Sequence, residues 1–195
     1  MSHRRVFWLI GAALLAAVEA GAHVGDGASG GFASGFGHPL FGWDHIAAMV
    51  AVGLWGAFLG RPAIWLLPVT FPVFMVLGAA LGVGGVPVPA VEAGIAASAV
   101  VLGALVAVAA RPPLWASACI VGLFAVFHGH AHGTELPAAA NALTYGLGFI
   151  LATGLLHLCG IAFAGLQRLP RGRVAVQAGG GAIALAGVGF LTGVL

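Results

Sequence analysis

The chain has 195 residues, of which 61 % are hydrophobic and 6 % charged, whereas a soluble domain carries about 25 % charged residues. That balance excludes a soluble globular protein. Seven arginines, no lysine and five acids leave a net charge of +2, too little for a nucleic-acid partner, so the placement of the charges matters more than their sum.

Residues 1–22 open with Met-Ser-His-Arg-Arg, continue through an apolar run from Val6 to Val18 and end in Glu19-Ala20-Gly21-Ala22. A basic start, a short apolar core and a small-x-small site make a cleavable signal peptide. The 13-residue run is short of the ~20 residues that cross a bilayer; an uncleaved first helix is the alternative. Cleavage after Ala22 would leave His23 at the mature N-terminus, with an amine and an imidazole on one residue. That pair could chelate a divalent metal, or be an accident of the cleavage site.

Six apolar stretches follow, at Pro39–Leu59, Ala63–Val83, Val88–Ala109, Pro113–Phe127, Ala138–Leu166 and Val174–Leu195. Each is near the length of a membrane span, and the fourth reaches it only by continuing helically into the histidines that follow. Backbone groups in lipid must be satisfied internally, and strand alternation is absent, so the sequence predicts an all-α bundle of six transmembrane helices after the signal peptide. Thirty-three glycines lie mostly inside these runs, as close-packing contacts do. Gly179, Gly180, Gly181, Gly187, Gly189 and Gly193 predict such a face on the last span. Cys119 and Cys159 are also within apolar runs, which argues against a disulfide scaffold.

With residue 23 outside, Arg61, Arg111, Arg168, Arg171 and Arg173 all fall inside, as the positive-inside rule requires. Asp26, Asp44, Glu92 and Glu135 fall at or near the outer face, together with His23, His38, His45, His128, His130 and His132. Such a vestibule would attract cations. No phosphate-binding Gly-x-x-x-x-Gly-Lys-Ser/Thr loop is present, so the chain does not hydrolyse ATP by that route.

Two segments concentrate the chemistry. In His38-Pro39-Leu40-Phe41-Gly42-Trp43-Asp44-His45, the proline places His38 at a helix start, with Asp44 and His45 one to two turns into the span. His45 and Met49 share a face. An aspartate within a span costs about 3 kcal/mol on insertion scales, so a cation or a histidinium must stabilise it. An Asp–His pair that only fixes a kinked helix is the alternative. In Phe127-His128-Gly129-His130-Ala131-His132-Gly133-Thr134-Glu135, helical geometry puts His128 and His132 on one face, extended by Glu135. An i, i+4 histidine pair presents two nitrogens to one metal. His130 points elsewhere, as an auxiliary ligand or an interface residue, and Gly129 and Gly133 would let the backbone deviate.

Weaker sites are His157, an inner stop for an ion or an interhelical hydrogen bond, and Glu92, a helix cap or a transport group. Asn141, Thr144 and Tyr145 line the vestibule or bond between helices. Imidazole with some carboxylate suits nickel, cobalt, zinc or copper and disfavours magnesium and calcium. An intramembrane zinc hydrolase with Asp44 as base, a b-type haem protein, and a metal sensor or chaperone without flux stay open on these residues.

Two motifs resemble the HupE/UreJ family of small nickel/cobalt permeases. They are His38-Pro39-x-x-Gly42-x-Asp44-His45-x-x-x-Met49-x-x-Val52-Gly53-Leu54-Trp55 and Phe127-His128-Gly129-x-Ala131-His132-Gly133-x-Glu135-x-Pro137. Weaker similarity lies at Pro89-x-Val91-Glu92-x-x-Ile95-Ala96-x-Ser98 and Gly148-Phe149-x-x-Ala152-Thr153-x-x-Leu156-His157. The resemblance implies a non-enzymatic importer of Ni²⁺ or Co²⁺ in the bacterial inner membrane, with no prosthetic group. It serves nickel enzymes or cobalamin, and a homo-oligomer is compatible with it. The expected site has Asp44, His45, His128 and His132 at its centre, the outer histidines and acids before it, and His157 on the inward path.

Overall fold

The computed structural model describes residues 31–136 and 141–195. The expected signal peptide, His23 and Asp26 lie outside the described residues. Among those described, every regular element is helical: α1 (Phe32–Phe41), α2 (Trp43–Leu59), α3 (Ala63–Val83), α4 (Val91–Ala107), α5 (Leu114–Thr134), α6 (Ala142–Ala164) and α7 (Gly172–Thr192), with a 3₁₀ turn at Gly165–Arg168.

The expected first span differs most from what is seen. Pro39 does not start a helix: it lies inside α1, near its C-terminal end, where it leaves the Gly35 carbonyl without its helical donor just before the helix stops. The chain breaks at Gly42, with ψ at 110°, and α2 leaves α1 at 85°. His38 therefore sits in the last turn of α1, not at a helix start, and Asp44 in the first turn of α2. The third stretch is trimmed to Val91–Ala107, after Pro87 and Pro89 and before Ala109 at φ 54°. The fourth runs on through the histidines to Thr134, which gives it full membrane length. Of the fifth, α6 covers Ala142 onward.

Among the described residues, four helices are long and apolar enough to cross a membrane, or five if the bent α1–α2 pair is one span; α4 is apolar but shorter, at 17 residues. Large apolar side chains cover the outside, among them Trp65, Val69 and Val73 on α3, Leu151 and Leu158 on α6 and Leu185 on α7. The histidines His45, His128, His130, His132 and His157 are buried instead. Apolar residues outward and ionisable residues inward is the arrangement of a bundle solvated by lipid.

The α2 helix is the hub, touching α3, α4, α6 and α7. Its Met49, Val52, Leu54 and Trp55 pack with Leu67, Phe71, Leu102, Val121, Phe149 and Leu156 in the core. Glycine sets the helix separations. A Cβ on Gly129 or Gly133 would run into the backbone of Met75 or Ala79 on α3, and one on Gly78 or Gly82 into the backbone of α5. Gly129 and Gly133 thus bring a regular helix against its neighbour and do not make the backbone deviate. On α7, Gly180 and Gly187 meet α4 at Val106 and Val100 in the same way, and Gly179 meets Phe163 of α6, but Gly181 and Gly193 face open space and Gly189 meets only Leu195, so the expected packing face is narrower than the six glycines suggested.

The two ends of the bundle differ in chemistry. Arg111 donates to the Phe58 carbonyl (3.2 Å) and stacks on the Phe58 ring (4.8 Å), at the end of α2 that leads to Arg61. Trp55 donates to Ala110 O, and Gln177 at the start of α7 donates to Ala107 O. These bonds gather the loops carrying Arg61, Arg111 and Arg168–Arg173 at one end. The start of α2 and the end of α5, with His45 and His132, lie at the other.

Candidate metal centre

The elbow at Gly42 lets two short helical pieces present His38 and His45 to one point, and the C-terminal turn of α5 adds His132. One ligand atom from each of these three histidines lies within 4.8 Å of the others. The Nε2 atoms of His45 and His132 are 2.9 Å apart. The His38 ring stands 4.7 Å from that of His132, edge to face. His38 is exposed while the other two are buried, so the group has a wet side and a dry side.

Asp44 orients the cluster. Its Oδ1 accepts from the His45 backbone N–H (2.9 Å) and from His45 Nδ1 (2.8 Å). The Nδ1 atom must carry the proton to make that bond, which leaves the Nε2 lone pair directed at the other histidines. A carboxylate that fixes the tautomer of a ligand imidazole is a recurring feature of metal sites. Asp44 thus acts through His45.

His128 lies one layer deeper. Its ring is 5.1 Å from that of His45, and it is fully buried. Ser98 Oγ spends its proton on the Ile95 carbonyl (2.5 Å), so His128 Nε2 donates to Ser98 (3.1 Å). The free lone pair of His128 is then on Nδ1, a buried atom without a hydrogen-bond partner among the described residues. His132 Nδ1 is in the same condition. The sequence singled out His128 for the centre; the geometry places His38 there and His128 behind it.

The other sequence candidates are dispersed. His130 Nε2 donates to the Val86 carbonyl (2.8 Å), tying α5 to the loop after α3. Glu135 caps α5 and is exposed, one residue past the helix. Met49 is fully buried in the apolar core, a turn inward of His45. His157 packs against Phe71 at 5.5 Å. Glu92 is in the first turn of α4 and borders a cavity of about 410 Å³ with Trp43 and Asp44. Asn141 caps α6 by accepting from the Leu143 and Thr144 N–H groups, and the Thr144 hydroxyl donates to the Asn141 carbonyl. Neither bonds between helices.

Residues that the pattern of histidines did not reveal also shape the site. Phe149 packs on His132 at 4.3 Å and, with Tyr145, walls off His38 on the α6 side. Phe71 contacts His128 at 5.4 Å. The signal for Ser98 and Phe149 was their place in the two weaker similarity segments; Phe71 gave none.

Fold and site together define a multi-pass helical membrane protein with a histidine cluster near one end of its bundle. Residues 11–190 match the family described as HupE / UreJ protein. The chain belongs to that family, whose members are transport proteins and not enzymes. It is 46 % identical over 182 residues to "Protein HupE" of Rhizobium leguminosarum bv. viciae, covering 93 % of this chain and 95 % of that protein. No solved structure matches it significantly. Membership points to a function related to nickel or cobalt transport.

Proposed function

We propose that the chain is an importer of Ni²⁺ or Co²⁺ in the bacterial inner membrane, crossing it six times after a cleaved signal peptide. The mature N-terminus and the histidine end face the periplasm. The segregation of all five described arginines from the histidines supports that orientation. The observation that carries the reading is the meeting of His38, His45 and His132.

The 2.9 Å between His45 Nε2 and His132 Nε2 is that of a hydrogen bond, and it is close enough for one ion with metal–imidazole bonds of ~2.0–2.1 Å to take both nitrogens. Imidazole ligands suit Ni²⁺ and Co²⁺ as they do Zn²⁺. Without an ion, one Nε2 carries a proton and bonds the other. An ion reaching the exposed His38 exchanges waters for imidazoles and moves onto the buried pair. Three neutral ligands and a carboxylate behind one of them hold it without trapping it, as transport requires.

The test is uptake of radiolabelled nickel and cobalt in a strain lacking its other importers. The wild-type chain should restore accumulation of one or both metals, and His45→Ala and His132→Ala should abolish it. Accumulation equal to wild type in both variants would remove the site from the pathway.

A further inference from the structure

Beyond the histidine cluster, the bundle interior holds two polar side chains that nothing among the described residues satisfies. Thr153 is fully shielded from solvent, and its Oγ1 has no hydrogen-bond partner. His157 is 2 % exposed, and its Nε2 has none either. Both lie on α6, four residues apart, so they stand one above the other on the same face. A helical threonine ordinarily satisfies its hydroxyl on the carbonyl a turn earlier; Thr70 does so with Leu66 and Thr192 with Val188. Thr153 does not. Two orphaned polar atoms on one buried face are costly in a dry interior unless a guest occupies them at some stage.

Their position continues the line of rings. His45 contacts His128, His128 contacts Phe71 at 5.4 Å, and Phe71 contacts His157 edge-on at 5.5 Å. Phe71 therefore separates His157 from the outer histidines. On the other side, Gly53 of α2 lies against the His157 backbone so closely that a Cβ there would meet its carbonyl. This contact fixes α6 against the hub helix at that level.

We propose that Thr153 Oγ1 and His157 Nε2 form a second, inner binding site for the transported divalent cation, with His157 on the far side of the Phe71 ring from His128. The proposal rests on the import reading above. One imidazole and one hydroxyl, with water completing the shell, make a weaker site than three imidazoles. The ion is released from it more readily than from the outer cluster, the property an inward-facing step needs.

The experiment uses the purified full chain in liposomes, with Ni²⁺ as probe, comparing wild type, Thr153→Val, Thr153→Ser and His157→Leu. Three quantities are read: initial uptake rate, Ni²⁺ affinity by equilibrium dialysis, and unfolding midpoint. Replacing an unsatisfied buried hydroxyl by a methyl does not destabilise a fold, so a merely structural Thr153 predicts unchanged uptake in Thr153→Val. The inner site predicts at least a fivefold slower rate in Thr153→Val and His157→Leu. The tightest Ni²⁺ affinity should stay within twofold of wild type, Thr153→Val should unfold no earlier than wild type, and Thr153→Ser should keep its rate. A Thr153→Val rate within twofold of wild type overturns the inner site, whatever His157→Leu does; so does a slower rate accompanied by an equal loss of affinity or a lower midpoint. A wild-type protein that moves neither nickel nor cobalt refutes the import reading and this site with it. Active wild type with an equally active Thr153→Val refutes this site alone.

Discussion

Replacing Asp44 by asparagine isolates what the carboxylate would contribute to the proposed metal centre. The Asp44 oxygen accepts two hydrogen bonds, both from His45. Asparagine keeps an acceptor of the same shape, so the backbone bond and the His45 tautomer can persist while the charge is lost. From Oδ1, the path to an ion on His45 Nε2 runs through one hydrogen bond, the width of an imidazole and one metal–nitrogen bond, roughly 6–7 Å in all. The attraction between one negative charge and a divalent ion at that separation is about 1.3 kcal/mol in water and ~5 kcal/mol at an effective dielectric of 20. Asp44 is partly open to solvent, which favours the lower half of that interval. A loss of about 1.4–2.7 kcal/mol, or 10–100-fold in affinity, is also what removal of a carboxylate behind a ligand histidine typically costs. Asp44→Asn should therefore weaken Ni²⁺ binding 10–100-fold, measured by calorimetry on the detergent-solubilised protein, with little change in unfolding midpoint. Asp44→Ala should lose the same affinity plus about 1 kcal/mol of fold stability, because the first turn of α2 loses its acceptor. Unchanged affinity in Asp44→Asn would show that the ion does not bind through His45.

Three further outcomes follow from the same geometry. His130→Ala should leave nickel affinity within twofold of wild type but cost about 1 kcal/mol, because the Val86 carbonyl loses its donor; thermal unfolding and a binding titration read both. Gly133→Ala should force α5 away from α3 at Ala79, destabilising by about 1–3 kcal/mol and weakening nickel binding through displacement of His132. Acidification should weaken binding once protons compete with the ion for the same imidazole nitrogens. Binding titrations carried from pH 7.5 downward would register the loss.

The helical, lipid-solvated architecture was legible because composition and run length respond directly to the membrane. So was the concentration of chemistry at His38–His45 and His128–Glu135, because ionisable residues in apolar runs are costly and conspicuous. What sequence spacing could not provide was the sharp break at Gly42, since Pro39 offered a more obvious helix boundary three residues earlier. That break brings His38, in place of His128, within 4.8 Å of His45 and His132. Nor could spacing separate the three histidines of one motif by role: His132 faces His45, His128 faces Ser98 and His130 faces Val86. Their partners come from three different helices or loops, and only packing brings them near. Glu135 fell off the expected face because α5 ends at Thr134.

The right-angled joint between α1 and α2 makes ligand spacing depend on a single backbone swivel. His38 is four residues from the pivot, a lever of roughly 6 Å, so a swing of about 10° carries its imidazole roughly 1 Å. Coordination tolerates only about 0.2 Å, so a small swing is enough to detach His38 from an ion held by the other two. The short arm rests on α6, where Gly35 abuts the Tyr145 carbonyl and Gly148 the Phe32 carbonyl. A tilt of α6 would therefore shift His38 as well, which would couple the proposed outermost ligand to the helix that carries Thr153 and His157 further in.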